Sequence, residues 1–121
     1  MKDTREKEIV DGVYLVINHQ IYPIKQSVTK IGRMLDNDLV IQDSLVSRHH
    51  AEIHLEGNKY KIVDKNSTGG TYINNKKIKV SSLYSGDVIL LANVPIMFIN
   101  DKHKLDIKGA EETGKLADEP E

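Results

Sequence analysis

Short apolar segments rich in β-branched residues recur along most of the chain, and turn-forming residues separate them. This spacing is typical of an all-β sandwich or barrel. No segment sustains the 3.6-residue apolar period of an amphipathic helix, so helix is at most marginal. Strands are predicted at about residues 13–18, 21–25, 28–33, 39–41, 50–55, 59–64, 71–73, 76–79, 87–92 and 95–100.

Alternation of apolar and charged residues identifies two of these strands as neighbours. Over residues 51–56 every second residue is apolar, which predicts one face on a core and the other in water. Residues 59–62 alternate in the same way. Gly57 and Asn58 between them accept positive φ, so the two strands are predicted to form an antiparallel hairpin. Pro23 lacks the amide that a central strand would use, which predicts an edge position or a bulge for its strand.

Apolar residues become sparse at both ends of the 121-residue chain. Residues 1–10 carry mixed charge, and residues 101–121 contain no aromatic side chain. Segments of this composition bury too little apolar surface to offset the entropy lost on ordering. We therefore expect one folded domain at residues 11–100, with flexible segments at 1–10 and 101–121.

The overall composition excludes several classes of function. The net charge is −1 and aromatic residues make up 5%, which argues against nucleic-acid binding. No cysteine is present to form a disulfide, a thiolate nucleophile or a zinc site, which favours a reducing compartment. No apolar run approaches membrane-spanning length. We expect a cytoplasmic monomer without a membrane partner.

Three motifs at breaks between the apolar runs suggest an anion-binding surface. They are Gly32-Arg33, Ser47-Arg48-His49-His50 and Ser67-Thr68-Gly69-Gly70-Thr71. Arginine donors, small hydroxyl side chains and backbone amides freed by glycine are the groups that bind a phosphate dianion. The sequence therefore predicts that these motifs meet at one phosphate site.

These motifs, in this order, resemble the forkhead-associated (FHA) domain over about residues 12–100. The resemblance rests on Gly32-Arg33, Asn37-Asp38, Leu39-Val40-Ile41, the run from Val46 to Ile53, the run from Asp64 to Asn74, and Gly86-Asp87. It implies an antiparallel β-sandwich of about eleven strands whose loops at one end bind phosphothreonine peptides. The predicted number of strands is compatible with that architecture.

The resemblance also implies roles for single residues. The implied phosphopeptide-binding residues are Arg33, Ser47, Arg48, Thr68 and Gly69. Arg33 corresponds to an arginine that contacts the phosphate or the peptide backbone, and Ser47 to a serine that offers its hydroxyl and its amide. Thr68 corresponds to a second hydroxyl, while Arg48 is read either as a further cation or as a solvated charge. Gly69 departs from the family pattern, which has asparagine there to hold the peptide backbone.

A second set of residues is implied to support the site: Gly32, His50, Gly70, Thr71 and Asn74. His50 has two other interpretations, a Ser-His-Asp triad or a metal site shared with Glu52 and His54. No Gly-x-Ser-x-Gly turn accompanies the histidine, which argues against the triad. Alternation on a wet strand face explains the second grouping without a metal. We therefore predict no catalytic residue, no metal and no cofactor.

The leading hypothesis is a non-catalytic module that binds a phosphothreonine-containing protein in Ser/Thr kinase signalling. A second hypothesis is a switch, in which phosphorylated Thr4 or Thr113 in the chain's own terminal segments occupies the same site. A third is a β-sandwich scaffold whose phosphate site is vestigial, as the glycine at position 69 would allow.

Overall fold

The structure, a computed structural model, describes residues 12–102 and contains eleven strands in two sheets. The strands are β1 Val13–Ile17, β2 Gln20–Pro23, β3 Val28–Gly32, β4 Leu39–Val40, β5 Ala51–Glu56, β6 Lys59–Asp64, β7 Thr71–Ile73, β8 Lys76–Ile78, β9 Val80–Leu83, β10 Val88–Leu91 and β11 Val94–Asn100. The all-β prediction is thus confirmed. The predicted flexible segments lie outside the described residues except for Asp101 and Lys102, as do Thr4 and Thr113. Among residues 12–102 no helix has the length and apolar character needed to cross a membrane.

One sheet has six strands in the order β2-β1-β11-β10-β7-β8, and the other has five in the order β4-β3-β5-β6-β9. All pairs are antiparallel except β3 with β4, which are parallel. The predicted antiparallel sandwich is thus confirmed, with this single parallel pair among residues 12–102. The loop between Gly32 and Leu39 turns the chain back on itself. It is closed by the Asp38 amide, which donates to the Lys30 carbonyl at 2.9 Å. This bond brings Leu39 back beside Ile31 in the same direction.

Local sequence signals account for one further strand pair and for the position of one edge strand. Strands β5 and β6 pair antiparallel around Gly57, whose φ is 68°, as the alternating pattern predicted. Pro23 lies on the edge strand β2, also as predicted. Strand β9 was not predicted, because Ser81 and Ser82 interrupt any apolar alternation. Its pairing with β6, and not its own pattern, defines this strand.

The core lies between the two sheets and is built from their inward side chains. Leu15 and Phe98 from the six-stranded sheet and Ile53 and Ile62 from the five-stranded sheet are almost fully buried. The rings of Tyr60 and Phe98 meet across the core with centroids 5.5 Å apart. Burial of apolar area contributes roughly 25 cal/mol per Å², so this core holds the two sheets together and fixes the loops between them.

Candidate functional site

The three motifs singled out in the sequence meet at one end of the sandwich, on the loops at 33–38, 41–50 and 65–70. The Arg33 amide donates to the Ser47 carbonyl at 3.0 Å, which joins the first motif to the second. The Thr68 amide donates to Ser47 Oγ, also at 3.0 Å, which joins the third motif to the second. Ser47 therefore lies at the centre of the cluster.

His50 connects two of these loops from beneath. Its side chain is fully buried; Nδ1 accepts a hydrogen bond from the Ser47 amide at 3.0 Å, and Nε2 lies 2.9 Å from the Gly70 carbonyl. Because an amide can only donate and a carbonyl can only accept, these partners define a neutral ring protonated at Nε2. His50 therefore joins the second loop to the third beneath the cluster.

The same bonds leave His50 no nitrogen for catalysis or for a metal. The Ser47 hydroxyl accepts from Thr68 and has no bond to the ring, so these residues do not assemble a nucleophilic triad. His54 Nε2 lies 2.9 Å from Glu52 Oε1 on the exterior of the five-stranded sheet, away from His50. No group of three or more potential metal ligands occurs between residues 12 and 102.

The Ser47 amide differs from the expectation. The resemblance implied that this amide, together with the hydroxyl, would reach a phosphate oxygen. In the structure it donates to the ring of His50, three residues along the chain, and so closes the turn. Only the hydroxyl proton of Ser47 remains available to a ligand.

Asp64 organises the third loop, and the sequence analysis did not assign it a role. Its Oδ1 accepts from Ser67 Oγ at 2.6 Å and from Thr71 Oγ1 at 2.7 Å, while Oδ2 accepts from the Ser67 amide at 3.1 Å. Ser67 Oγ in turn accepts from the Gly70 amide at 2.9 Å. The loop thus wraps around one carboxylate. An aspartate three residues before a serine is a signal for such a side-chain-closed turn.

The charge of Asp64 is stabilised by these donors. Burial pushes the pKa of the carboxyl upward, but the hydrogen bonds from Ser67 and Thr71 outweigh it and hold the pKa below its ordinary value. Asp64 is therefore ionised at neutral pH, and its carboxylate oxygens accept hydrogen bonds from Ser67 and Thr71.

Asn37 fixes the first loop against the second and was likewise not assigned a role. Its Nδ2 donates to the Met34 carbonyl at 2.9 Å and to the Arg48 carbonyl at 2.8 Å. Gly32 permits this close approach, because a Cβ there would stand 2.2 Å from the same Arg48 carbonyl. Both arginines therefore project from loops whose backbones are held in contact.

The cationic and hydroxyl groups above this framework face solvent. Arg33 Nε donates to the Val46 carbonyl at 2.9 Å, and its side chain is exposed. Arg48 and Thr68 are also exposed. No carboxylate among residues 12–102 forms an ion pair with either arginine. Two guanidinium groups and two hydroxyls thus share this end of the sandwich, which suits an anion.

Gly69 borders a cleft next to these groups. A Cβ at this position would stand 2.7 Å from the Ala92 Cβ and 3.2 Å from the Leu45 carbonyl. Ala92 itself has a φ of 56°, a conformation in which glycine is more common. The glycine at 69 is therefore coupled to the alanine at 92. The cleft beside them has a volume of about 370 Å³ and is lined by Leu45, Gly69, Tyr72, Asn75, Leu90, Ala92 and Asn93.

The remaining predicted supporting residues occupy two places. Gly70, with a φ of 88°, and the buried Thr71 lie in and directly after the third loop. Asn74 lies in the turn between β7 and β8, where its Oδ1 accepts from the Val88 amide and its Nδ2 donates to Asp87, both at 3.0 Å. The structure does not bring Asn74 to the cluster, and its hydrogen bonds hold the opposite end of β7.

Comparisons with known proteins show which sequences this chain resembles. The family model of the FHA domain matches residues 29–92. The glycogen accumulation regulator GarA of Mycobacterium tuberculosis is 36% identical over 76 residues, which cover 63% of this chain and 47% of GarA. The chain thus spans about half the length of that relative.

Two solved structures extend the comparison to the fold. Mycobacterium tuberculosis EmbR in complex with a low-affinity phosphopeptide superposes with a TM-score of 0.73 at 33% identity, over 75% of this chain and 25% of that one. A structure from a study of phosphothreonine-dependent FHA domain interactions superposes with a TM-score of 0.70 at 33% identity, over 73% of this chain and 95% of that one. The chain belongs to the FHA domain family, because the family model matches more than half of it and the solved FHA structure shares its sandwich.

Proposed function

We propose that this domain binds phosphothreonine-containing segments of proteins modified by a Ser/Thr kinase, without catalysing a reaction or using a cofactor. The observation that carries the proposal is the cluster of Arg33, Arg48, Ser47 and Thr68 on one end of the sandwich, with no carboxylate of residues 12–102 paired to either arginine. Relatives solved with a phosphopeptide or studied for phosphothreonine-dependent binding support it.

Each group has a distinct part in this proposal. Ser47 Oγ accepts from the Thr68 amide and so keeps its own proton for a phosphate oxygen. The planar fork of Arg33 offers its terminal nitrogens to the phosphate or to the peptide backbone. Thr68 supplies a second hydroxyl and Arg48 a second charge. Hydrogen bonds to a charged group contribute about 1.5–3 kcal/mol each, so losing any one of them is measurable.

The glycine at position 69 limits the affinity that we expect. No side-chain amide is available there to bind the peptide backbone on either side of the phosphothreonine. One or two hydrogen bonds of about 1 kcal/mol each are absent, which weakens binding roughly tenfold relative to a domain that has them. We propose that recognition of the phosphate dominates over recognition of the surrounding peptide.

A titration tests the proposal. Adding a phosphothreonine peptide to ¹⁵N-labelled protein is expected to shift the amide signals of Arg33, Ser47 and Thr68, while the unphosphorylated peptide leaves them unchanged. Arg33→Ala and Ser47→Ala are expected to abolish the response. Lys59→Ala, an exposed cation beside the turn at the opposite end, serves as the matched control. Equal responses to both peptides would overturn the proposal.

The same reagents separate the two alternative functions. If the domain is a scaffold with a vestigial phosphate site, as Gly69 would allow, an unphosphorylated partner stays bound to the Arg33→Ala/Ser47→Ala double variant. If Thr4 or Thr113 once phosphorylated occupies the site, kinase treatment of the full chain weakens peptide binding, and the corresponding Thr→Ala variant prevents this. A cytosolic location is part of the main proposal and is supported by the absence of cysteine from this chain.

A further inference from the structure

The outer surface of the six-stranded sheet is apolar, although it faces away from the core. Register pairs Ile21, Val16, Met97 and Val88 into one row across β2, β1, β11 and β10. Leu90 and Tyr72 form part of the next row. Among the outward positions of these six strands only Lys77, on the edge strand β8, is charged. We call this surface the outer apolar face.

This arrangement is unusual for an antiparallel sheet, whose solvent side ordinarily carries polar residues. Ile21 is 49% exposed and Met97 is 40% exposed, so both aliphatic side chains reach water. The inward residues of the same strands, such as Leu15 and Phe98, are fully buried in the core. The sheet therefore has two apolar faces, and only one of them is covered within residues 12–102. A contiguous apolar surface of this kind marks an interaction site.

In place of the monomer expected from the sequence, we propose that two copies of this chain pack their outer apolar faces together about a two-fold axis. The first argument is the charge of the face. A second copy brings the same uncharged rows, so no like charges oppose each other at the centre of the contact. A different protein would be selected through charges, and the charges of this face lie only at its rim, on Lys77 of β8 and on Asp101 directly after β11. Self-association requires only that the apolar side chains of the two faces interdigitate. Sheets that stack face to face do so at a separation of about 10 Å.

The size of the face limits the surface that a dimer can bury. Strands lie about 4.8 Å apart and rise about 3.3 Å per residue, so the face covers roughly 400–500 Å² of flat area. Two copies together bury about 1,000 Å² or somewhat more, which is near the lower limit for a specific interface. We therefore expect a dimer that dissociates on dilution rather than a permanent one.

The pairing leaves the arginine and hydroxyl groups of the loops exposed, although Leu90 and Tyr72 of the face also line the cleft that Gly69 borders. Arg33, Ser47 and Thr68 lie at the end of the sandwich, whereas the outer apolar face runs along its side. A dimer would present two phosphate sites at a fixed separation and gain avidity for a protein with two phosphothreonines. This consequence rests on the function proposed above, but the dimer itself does not, so the two proposals can fail separately.

Sedimentation equilibrium of the full chain tests the proposal. Between about 1 µM and about 1 mM the mean mass is expected to rise from that of the monomer to that of the dimer and to stop there. Met97→Glu places a charge on the two-fold contact and is expected to weaken the dimer at least tenfold. Ile21→Lys is the second variant and is also expected to weaken the dimer. Ile21 lies on an edge strand, where a long side chain reaches water without disturbing the core.

Val80→Glu is the matched control, because Val80 is 57% exposed on strand β9 of the other sheet. It is expected to leave the mass unchanged, and far-ultraviolet circular dichroism checks that each variant folds. In the wild type, methyl signals of Val16, Leu90 and Ile99 are expected to shift with concentration. A monomer throughout, a mass that exceeds the dimer, or a dimer unaffected by Met97→Glu and Ile21→Lys would each overturn the proposal.

Discussion

The two ends of the sandwich hold their loops in different ways. At the end that carries the arginines, polar side chains reach between loops far apart in sequence: Asn37 contacts residue 48 and His50 contacts residue 70. At the opposite end the turns at Gly57 and Gly86 close through positive φ, and an added Cβ would meet nothing there. One end joins three loops through buried polar side chains, and the other combines tight turns with one side-chain link, between Asn74 and Asp87.

This difference separates loops that must be held at fixed positions from turns that only need to connect two strands. A turn needs only to reverse the chain, so a permissive backbone suffices. A site must hold groups from three loops at fixed separations, and this requires buried polar side chains whose hydrogen bonds are satisfied. The partners of His50 and Asp64 meet that requirement, while the arginines above them keep exposed side chains for a ligand.

Replacing His50 should have the largest effect on this comparison. His50→Ala removes a buried ring and leaves the Ser47 amide and the Gly70 carbonyl without partners, so we expect a loss of about 3 kcal/mol in the free energy of unfolding. Urea denaturation measures it. His54→Ala, whose ring lies on the sheet exterior against Glu52, is the control and should cost under about 1 kcal/mol. Equal losses would mean that the two histidines do not differ in role.

Asp64→Asn should have the next largest effect. The amide cannot accept all three donors from Ser67 and Thr71, so we expect a loss of about 2 kcal/mol in unfolding free energy. Asp87→Asn changes a carboxylate that accepts from Tyr84 and Asn74 at the opposite end. There we expect about 0.5–1 kcal/mol. A larger loss at Asp87 would reverse the contrast between the two ends.

The Asp64 carboxylate also predicts a dependence of the unfolding free energy on pH. The pKa of Asp64 is lowered in the folded chain, so its contribution is fully present above the ordinary carboxyl value. That contribution is lost as the pH falls through the lowered folded value, because the unfolded chain then binds the proton more readily. Urea midpoints between about pH 2.5 and 7 should therefore fall less steeply in Asp64→Asn than in the wild type. Parallel curves would contradict this assignment.

The smallest predicted effect concerns the coupling between Gly69 and Ala92. Gly69→Asn alone should destabilise the fold by about 1–2 kcal/mol, because its Cβ would meet the methyl of Ala92. Combining it with Ala92→Gly removes the methyl and should recover most of the loss, giving a coupling energy of about 1 kcal/mol in a double-mutant cycle. Additive effects would show that the two positions are independent. Phosphopeptide affinity should rise in the double variant.

Sequence patterns predicted the elements that depend on local chemistry. The hairpin at Gly57 and the edge position of Pro23 follow from positive φ and from a missing amide, both of which are properties of single residues. Strand β9 was missed because Ser81 and Ser82 carry no alternation, and its place depends on pairing with β6. The parallel β3–β4 pair was missed because the Asp38 amide bond that creates it is invisible in the pattern.

The site was predicted in the same partial way. Its motifs identified which loops meet, but the hydrogen bonds that join them link residues that only the fold brings close. The use of the Ser47 amide by His50 and the contact of Asn37 with the Arg48 carbonyl are of this kind. The outer apolar face was hidden for another reason. The run from Val94 to Ile99 is apolar on both sides of its strand. The sequence pattern therefore does not distinguish the side that is exposed from the side that is buried.

The contact between position 69 and position 92 also constrains how such a domain can change over generations. A lineage with alanine at 92 cannot gain an asparagine at 69 in one step without losing stability, because the methyl occupies the path of the new side chain. The order that costs least stability is the one in which the methyl at position 92 is lost first. The alanine at 92 thus favours retention of a small residue at 69, whatever the ligand of the neighbouring loops.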